Sequence, residues 1–381
     1  MVGASPRQGH VERPPAGRAR MRPAAMQAGL PPRLGAGWRP AAVAVCIPVR
    51  NEEAELPVTL DALARLDVES GLDVAFCFLL DGCTDRSADI LTDFARRSAN
   101  SVVIEAVPDR GASNAGIARG RAMALGQRVL GDMRRAALLT TDADTRPAGD
   151  WIGKTCQALA LCDVVAGRIL RESPGDQPVQ TRLEDYFDRL HALRRAHDPV
   201  DWEARPAHHH VGGASLAFRA EAYAALGGFD PVPNAEDAAI VDAAHRAGLR
   251  VRRDRDVLVR TSTRREGRAL RGFAEHLRAL APDADQILVS DPCQAAWQYR
   301  GHALARTHYG ALENPDALRE LAIQLNVDMD HIRRVARHAR NAEAFVTHVV
   351  PSPPGPDRKL SLPAAERALK QLEPIGHPCA A

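Results

Sequence analysis

An Asp-x-Asp motif in this chain places Asp142 and Asp144 on either side of one alanine. The motif directly follows an apolar run at 137–141, which is predicted to be a buried strand. Mg²⁺ and Mn²⁺ take carboxylate oxygens as ligands and leave other positions for phosphate oxygens. A cation held there would neutralise charge on a leaving diphosphate. The alternative is a capping turn, in which Asp144 or Thr145 caps a helix that begins at Pro147.

A second carboxylate, Asp81, ends another apolar run and precedes Gly82, which permits a tight turn. Thr84 or Asp85 is placed to cap the helix beyond. Asp81 has no such local role, and its carboxylate can accept a hydrogen bond from a nucleobase N–H. A plain strand–turn–helix junction is the alternative.

A third candidate segment, Pro48-Val49-Arg50-Asn51-Glu52-Glu53, follows the first apolar run. Asn51 is predicted to cap the next helix, and Glu52 and Glu53 suit the positive end of that helix. A well-capped helix accounts for most of this pattern. The functional interpretation adds contacts from Pro48 and Glu53 to a ribose or a base.

Two adjacent acids, Glu236 and Asp237, open a predicted helix and complement its dipole. Directed into a cleft, one of them can also act as a general base that deprotonates an acceptor hydroxyl. Such a base would work beside a metal-bound diphosphate. Helix capping alone is the alternative.

Two further clusters are less specific. The three histidines at 208–210 cannot all face one metal from a regular strand or helix, so a surface loop is favoured over a metal site. A lesser alternative places one of them in an acceptor pocket. Arg264, Arg265 and Arg268 either bind phosphate or belong to a solvated turn, and the sequence leaves both open.

The elements that position these residues follow from the hydrophobic pattern. Short, nearly continuous apolar runs alternate with amphipathic helical patterns at a period of about 30 residues. Such runs predict an α/β fold with a mostly parallel sheet covered by helices on both faces. Ligands bind at the carboxyl ends of strands in these sheets. The predicted strands lie at 43–47, 74–80, 102–104, 137–141 and 163–170.

The remaining pattern divides the chain. Helices are predicted at 112–130, 182–197 and 236–247, with Gly248 ending the last, and a strand and turn at 251–262. Helices are predicted beyond 270, with a short one at 363–372. The proposed boundaries are a disordered basic segment at 1–40, a catalytic α/β domain at 41–268, a helical region at 269–350 and a Pro-rich tail at 351–381.

Bulk composition excludes several classes of protein. The 381 residues are 45% apolar and 26% charged, as in soluble globular proteins, and the formal net charge of +2 gives no bias toward nucleic acid or a membrane surface. No apolar stretch reaches the roughly 18 residues of a membrane-spanning helix. The seven cysteines are odd in number and lack CxxC spacing, which argues against zinc ribbons and disulfide frameworks and favours a reducing cytoplasm. Cys46 and Cys77 are expected to be buried.

The motifs taken in order resemble the family 2 glycosyltransferases of GT-A fold. Five segments carry the resemblance: IPVRNEE at 47–53, LLDGCTDRS at 79–87, TTDADTRP at 140–147, GGASLAFRAEAYAALGGFD at 212–230 and ED at 236–237. A looser match is RGASNAGIARGRAMA at 110–124. Together they span roughly 41–265. A GT-A-type domain with a helical C-terminal extension is therefore expected.

The resemblance implies a role for each matching residue. The donor would be a nucleotide-diphospho-sugar, with Mn²⁺ or Mg²⁺ at Asp142 and Asp144. Asp237 would be the base and Glu236 would help to position the acceptor or the base, in a single displacement that inverts the anomeric centre. The expected substrate-binding residues are Pro48, Asn51, Glu53, Asp81, Arg119 and Gly213.

Departures from the family pattern leave the sugar, nucleotide and acceptor undefined, as well as a possible homodimer. Leu80, Cys83 and Gly120 replace the usual residues at their positions, and Ala238-Ala239 follow the acidic pair. A sugar-phosphate nucleotidyltransferase would need a Gly-rich basic loop after the first strand, and a dehydrogenase would need GxGxxG there. Neither is present. The remaining alternative is a catalytically inactive nucleotide-sugar-binding module.

Overall fold

The computed structural model describes residues 37–109, 114–131, 134–172, 178–262 and 284–373. The segment 1–36, the first part of the 110–124 match and the three arginines at 264, 265 and 268 lie outside these ranges. No helix in the described ranges has the length and apolar character that crossing a membrane requires.

An eight-stranded sheet forms the centre of the described structure, in the order β3-β2-β1-β4-β7-β6-β8-β5. The strands β1 to β4 are parallel, β6 and β8 are parallel to each other, and β7 and β5 are antiparallel to their neighbours. The predicted α/β fold with a mostly parallel sheet is confirmed. The strands are β1 (Ala42–Val49), β2 (Asp73–Asp81), β3 (Ser101–Val107), β4 (Ala136–Thr140), β5 (Thr145–Pro147), β6 (Val164–Glu172), β7 (Leu216–Arg219) and β8 (Val251–Ser262).

Helices cover both faces of the sheet and continue toward the C-terminus. A two-stranded sheet pairs β9 (Leu288–Ser290) with β10 (Lys359–Ser361). The helices are α1 (Leu56–Ala64), α2 (Ser87–Arg97), α3 (Ala115–Leu130), α4 (Trp151–Leu159), α5 (Pro178–His197), α6 (Ala220–Leu226), α7 (Glu236–Arg246), α8 (Pro292–His308), α9 (Pro315–Leu325), α10 (Met329–His338), α11 (Ala342–Val349) and α12 (Leu362–Leu372).

Burial on both sheet faces explains why the strands read as continuous apolar runs. Along β1, Val45 and Ile47 belong to a core with α1, α2 and α4, whereas Ala44 and Cys46 belong to a core with α3, α6 and α7. Successive side chains of a strand point to opposite faces, so each must be apolar when both faces are covered. The predicted burial of Cys46 and Cys77 is confirmed.

Helix α3 lies unusually close to β1. A Cβ atom at Gly126 would sit 2.4 Å from Cys46 Sγ, so only glycine permits this approach. The helix is capped by Asn114, whose side chain accepts a hydrogen bond from Ile117 N. Close packing fixes the position of Arg119, one turn into the helix, relative to the ends of the central strands.

The C-terminal helices pack around α5 and α8. Leu183 and Leu190 of α5 share an apolar cluster with Leu362 and Leu369 of α12. Arg189 of α5 also pairs with Glu373 by two hydrogen bonds of 2.8 and 2.9 Å. The short helix predicted at 363–372 is present as α12, and its apolar face is buried against α5.

The turn after β4 is not the helix-capping turn that was the alternative interpretation of Asp144 and Thr145. Residues 145–147 form β5, which pairs antiparallel with β8, and the next helix begins only at Trp151 after Asp150. Asp144 and Thr145 therefore do not cap a helix at Pro147. The carboxylates after β4 are free of that local role, as a ligand site requires.

Candidate active site

The candidate residues meet where the central strands end. Because β2, β1 and β4 are adjacent and parallel, their carboxyl ends share one edge of the sheet. Register places Val49 beside Leu80 and Cys46 beside Thr140. The loops after these three strands therefore lie side by side, as the sequence predicted.

Asn51 connects two of these loops and does not cap a helix. Its backbone is left-handed, with φ of +53°, and its side-chain oxygen accepts a hydrogen bond of 2.7 Å from Thr84 N. The residue that precedes α1 is Glu55, which makes no side-chain capping bond. The predicted capping role is wrong because the Asn51 side chain is directed across to the loop after β2. Asparagine tolerates this backbone conformation better than most residues.

Glu53 is part of the same connection. Its backbone N–H donates to Asp85 Oδ2 at 2.9 Å, and its carboxylate accepts from Arg86 N at 3.0 Å. Asp85 in turn accepts from Ser87 N at 3.0 Å, at the start of α2. These reciprocal bonds hold the first two strand-end loops in one arrangement. A direct contact from Glu53 to substrate stays a prediction.

Asp81 is a buried carboxylate flanked by arginines. Asp81 is 3% exposed. One of its carboxylate oxygens lies 3.5 Å from Arg50 Nη1, and the other lies 3.7 Å from Arg121 Nη1. Arg50 also donates to Asp109 at 3.0 Å. The two arginines were not singled out as site residues in the sequence, although both lie inside the segments that carry the motifs. They give this end of the site cationic donors beside an acceptor.

Arg119 is the centre of the site's polar network. It is 7% exposed and lies on α3. Its guanidinium donates at 3.1 Å to Glu236 Oε1, at 2.8 Å to Asp142 Oδ1, at 3.0 Å to Thr140 Oγ1 and at 2.9 Å to the Gly213 carbonyl. Burial lowers the pKa of Arg119, but the carboxylates of Asp142 and Glu236 outweigh it and hold that pKa above its ordinary value.

Gly213 leaves the space that the guanidinium fills. A Cβ atom at this position would lie 2.3 Å from Arg119 Cζ. The backbone N–H of Gly213 donates to Asp237 Oδ2 at 3.0 Å, while its carbonyl accepts from Arg119. One residue therefore links the network to Asp237 through its backbone alone.

The acidic pair opens α7 with two different environments. Glu236 is 5% exposed, and burial raises its pKa against the opposing effect of Arg119. Asp237 is half-buried, with Oδ1 accepting from Ala238 N at 2.7 Å and Oδ2 accepting from Gly213 N. Ala235 before them is left-handed, with φ of +56°, which is uncommon for alanine. Glu236 thus faces inward to Arg119, and Asp237 is held by two backbone N–H groups.

The two carboxylates after β4 fit a divalent cation. The side chain of Asp142 is 35% exposed and uses one oxygen for Arg119, and Asp144 is half-buried two residues later. Mg²⁺ is commonly bound through one or two carboxylates together with substrate phosphates, so this donor set fits the ion. Within the described ranges, no three or more His, Cys, Asp or Glu side chains are arranged as a complete metal site.

The histidines at 208–210 are not in a surface loop, contrary to prediction. His208 is fully buried and its Nε2 lies 3.1 Å from the Ala166 carbonyl, while His209 Nδ1 lies 2.6 Å from Asp188 Oδ1. Burial lowers the pKa of His208 to about 3, so the ring is neutral at pH 7. The sequence carried no signal for this, because α5 supplies Asp188 and covers the segment only in the folded chain.

Comparison with known proteins identifies the part of the chain that carries β1 to β7. Residues 44–224 match the family model described as glycosyl transferase family 2. These residues form a family 2 glycosyltransferase domain. The family and the enzyme class predicted from the motifs are thereby confirmed. Glu236 and Asp237 lie just beyond the matched segment, and no curated protein matches the chain in sequence.

Several solved structures resemble the chain distantly. S. aureus TarS residues 1–349, in complex with UDP-GlcNAc, is 13% identical with a TM-score of 0.45, over 81% of this chain and 89% of that one. The mannosyltransferase PcManGT from Pyrobaculum calidifontis, in complex with GDP-Man and Mn²⁺, is 15% identical with a TM-score of 0.43, over 91% and 78%. A mycobacterial protein is 17% identical with a TM-score of 0.36, over 76% of each chain.

Gly213→Ala tests the close fit inside the glycosyltransferase domain. We expect destabilisation by about 1–3 kcal/mol, because the new methyl group meets the Arg119 guanidinium, which four hydrogen bonds hold in place. Urea unfolding measures the change. Gly153→Ala is the matched control, since nothing lies within 4 Å of its added carbon, and alanine is favoured over glycine within helix α4. Equal effects of the two substitutions would contradict the proposed fit.

Proposed function

We propose that this glycosyltransferase moves a sugar from a nucleotide-diphosphate donor to an acceptor hydroxyl, with a divalent cation and with inversion. The observation that carries the proposal is the network of Arg119, which joins Asp142 at the end of β4 to Glu236 at the start of α7. Through Gly213 the same network orients Asp237. The network therefore holds the candidate cation ligand and the candidate base on one edge of the sheet.

The donor's nucleotide is proposed to lie at the ends of β1 and β2. Asp81 is a buried hydrogen-bond acceptor for a base N–H. Arg50 and Arg121 lie beside it and can donate hydrogen bonds to oxygen atoms of the nucleotide-sugar. Asn51 and Glu53 keep the two loops together and thereby shape this pocket. Pro48 precedes them at the end of β1 and remains a proposed contact to the base or ribose.

The diphosphate is proposed to lie beside Asp142 and Asp144. A Mn²⁺ or Mg²⁺ bound there would neutralise the charge that develops on the leaving nucleoside diphosphate. Arg119 orients Asp142 by a hydrogen bond of 2.8 Å, and the backbone of Asp144 accepts from Ser262 N at 3.3 Å. The carboxylate of Asp142 and the backbone of Asp144 are thus each held by a residue outside the motif.

Asp237 is proposed as the base. Its carboxylate is half-buried and accepts two backbone hydrogen bonds, from Gly213 and from Ala238, which fix its orientation. A carboxylate so placed takes the proton of the acceptor hydroxyl as that oxygen attacks the anomeric carbon. Attack from the face opposite the diphosphate gives inversion. Glu236 is tied to Arg119 and acts as a positioning residue.

The test is release of nucleoside diphosphate from a panel of nucleotide-sugars, with Mn²⁺ or Mg²⁺. Asp144→Asn is expected to lower release by at least the 10- to 100-fold that loss of an outer partner of a metal site costs. A chelator should remove the wild-type activity as well. Asp150→Asn is the matched control, because Asp150 is exposed and makes no side-chain capping bond.

Each outcome distinguishes the candidates. Release from one donor, lost in Asp144→Asn and with chelator but kept in Asp150→Asn, supports the transferase and identifies the donor. Thermal stabilisation by a nucleotide-sugar without turnover, even with a panel of acceptors, would favour the inactive binding module. If no nucleotide stabilises the protein, Asp81 and its neighbours are not the binding site of the donor nucleotide.

A further inference from the structure

A second cluster of basic residue types, three arginines and two histidines, lies away from the strand ends, where α5, α7, α8 and β8 meet. Helix α5 supplies two adjacent arginines, α7 and α8 supply one histidine each, and β8 supplies one arginine. Their charges act on one another, since the arginines depress the pKa values of both histidines. The members are Arg194, Arg195, His245, Arg253 and His302. We call this group the basic cluster.

The basic cluster has buried nitrogen atoms without hydrogen-bond partners, of which the two arginine Nε atoms are N–H donors. Arg194 Nε, Arg253 Nε, His245 Nε2 and His302 Nδ1 are shielded from solvent and make no hydrogen bond to any described residue. Arg253 is 8% exposed, and its backbone N–H donates to Glu203, but its side-chain Nε has no partner among the described residues. More than nine in ten buried polar groups are paired in proteins, so several unpaired buried nitrogen atoms at one place indicate a missing partner.

Nearby carboxylates do not supply that partner. Asp198 pairs with Arg306 at 2.8 and 3.1 Å, and Glu203 accepts from Arg253 N at 2.6 Å and contacts His191 at 3.2 Å. Of the cluster's arginines only Arg195 reaches these acids, at 3.8 and 3.9 Å. Neither Arg194 nor Arg253 forms an ion pair with a side chain of the described ranges.

The surroundings of the basic cluster shift the pKa values of its members. Burial, followed by the neighbouring arginines, lowers the pKa of His245 well below its ordinary value and that of His302 to about 4. Burial and Arg194 lower the pKa of Arg253 to about 10. The two histidines are therefore neutral at pH 7, and the like charges that face one another are those of the arginines, which an anion would relieve.

We propose that the basic cluster is a binding site for an oxyanion of the phosphate class, separate from the donor site. Guanidinium groups present several N–H donors in one plane and bind phosphate oxygens bidentately, and Tyr299 borders the site with its ring 5.9 Å from Arg194 Cζ. The ligand is either free inorganic phosphate or the phosphoryl group of a metabolite. Both share the chemistry that the cluster recognises.

Separation from the proposed catalytic centre follows from helix geometry. His245 lies eight residues after Asp237 on α7, which corresponds to about 12 Å along the helix axis. The basic cluster joins β8 of the sheet to α8 of the C-terminal helices. A bound oxyanion would therefore connect the sheet-bearing part of the chain to its C-terminal helices.

Calorimetric titration of the full chain tests this proposal, with inorganic phosphate and glycerol 3-phosphate as separate probes. EDTA is included so that neither probe can bind through a cation at Asp142 and Asp144. Arg194→Gln is expected to raise the Kd about tenfold or more, the size of one lost charge-assisted hydrogen bond. Arg246→Gln is the matched control, since it removes an exposed arginine next to His245.

The two probes also distinguish the sources of the ligand. Binding of inorganic phosphate, weakened in Arg194→Gln and unchanged in Arg246→Gln, supports a site for the free ion. Binding of glycerol 3-phosphate alone, with the same dependence, supports a phosphorylated metabolite. His302→Gln gives a second variant where Arg194→Gln does not fold. If neither probe binds, or both variants bind as tightly as wild type, the proposal is overturned, whatever happens at the donor site.

Discussion

Asp237→Asn is expected to lower kcat for sugar transfer by about 10²- to 10⁴-fold, the usual contribution of a general base. The amide oxygen of asparagine can still accept the hydrogen bond from Gly213 N, which keeps the link to α7, although the amide nitrogen cannot accept the second bond, from Ala238 N. What is lost is the ability to take a proton from the acceptor hydroxyl. Single-turnover rates with the donor identified by the release assay measure the effect.

The base assignment also predicts what should stay constant. The Kd for the donor should change little, because Asp237 is proposed to contact the acceptor and not the nucleotide. Asp242→Asn removes an exposed carboxylate from the same helix and should leave kcat near the wild-type value. Full activity in Asp237→Asn, or equal losses in the two variants, would rule out Asp237 as the base.

Arg119→Met is expected to lower the free energy of unfolding by about 3–5 kcal/mol, the cost of breaking a buried ion pair from one side. Glu236, 5% exposed, would keep its charge in a buried place without its partner. Asp142 and the Gly213 carbonyl would lose their donor at the same time. Urea denaturation of the two proteins measures the difference.

The destabilisation should depend on pH in a defined direction. Burial already raises the pKa of Glu236, and loss of Arg119 removes the effect that opposes it. A carboxyl whose pKa is higher in the folded than in the unfolded state favours folding as the pH falls. The loss in free energy of unfolding caused by Arg119→Met should therefore be smaller at pH 5 than at pH 8. A deficit independent of pH would show that Glu236 is not the group left unpaired.

Two further variants separate charge from packing. Arg121→Met changes a residue two positions further along α3. Its side chain is 43% exposed and makes one long ion pair, of 3.7 Å, with Asp81. We therefore expect the free energy of unfolding to change by no more than about 1 kcal/mol. Arg119→Met combined with Glu236→Gln should recover part of the lost stability, since the buried charge is gone. Equal destabilisation by Arg119→Met and Arg121→Met would contradict the central role of Arg119.

The fold followed from local patterns wherever neighbours in the chain are also neighbours in space. The strand predicted at 251–262 is β8 over the same residues, and the helix predicted at 236–247 is α7, with Gly248 left-handed just after it. The antiparallel direction of β7 was not predicted. It depends on the pairing of β7 with β4 and β6, which lie far from it in the chain.

Capping and exposure were harder to predict than elements. Asn51 has the residue type of a helix cap, yet its side chain bonds to Thr84, a residue that no local pattern associates with it. The histidines at 208–210 have the composition of a loop, but Asp188 from α5 bonds to His209 and buries the segment. Local propensity is overridden in both cases because a partner distant in sequence satisfies the same polar group.

The sequence by itself determined the order of the strands along the chain, the carboxylates that follow them and the family to which residues 44–224 belong. Tertiary structure alone decided that Arg119, predicted as a substrate contact, lies at the centre of the site. Its partners Asp142, Gly213 and Glu236 stand 23, 94 and 117 residues away. A buried charge is stable only where several partners converge on it, and such convergence exists only in the folded chain.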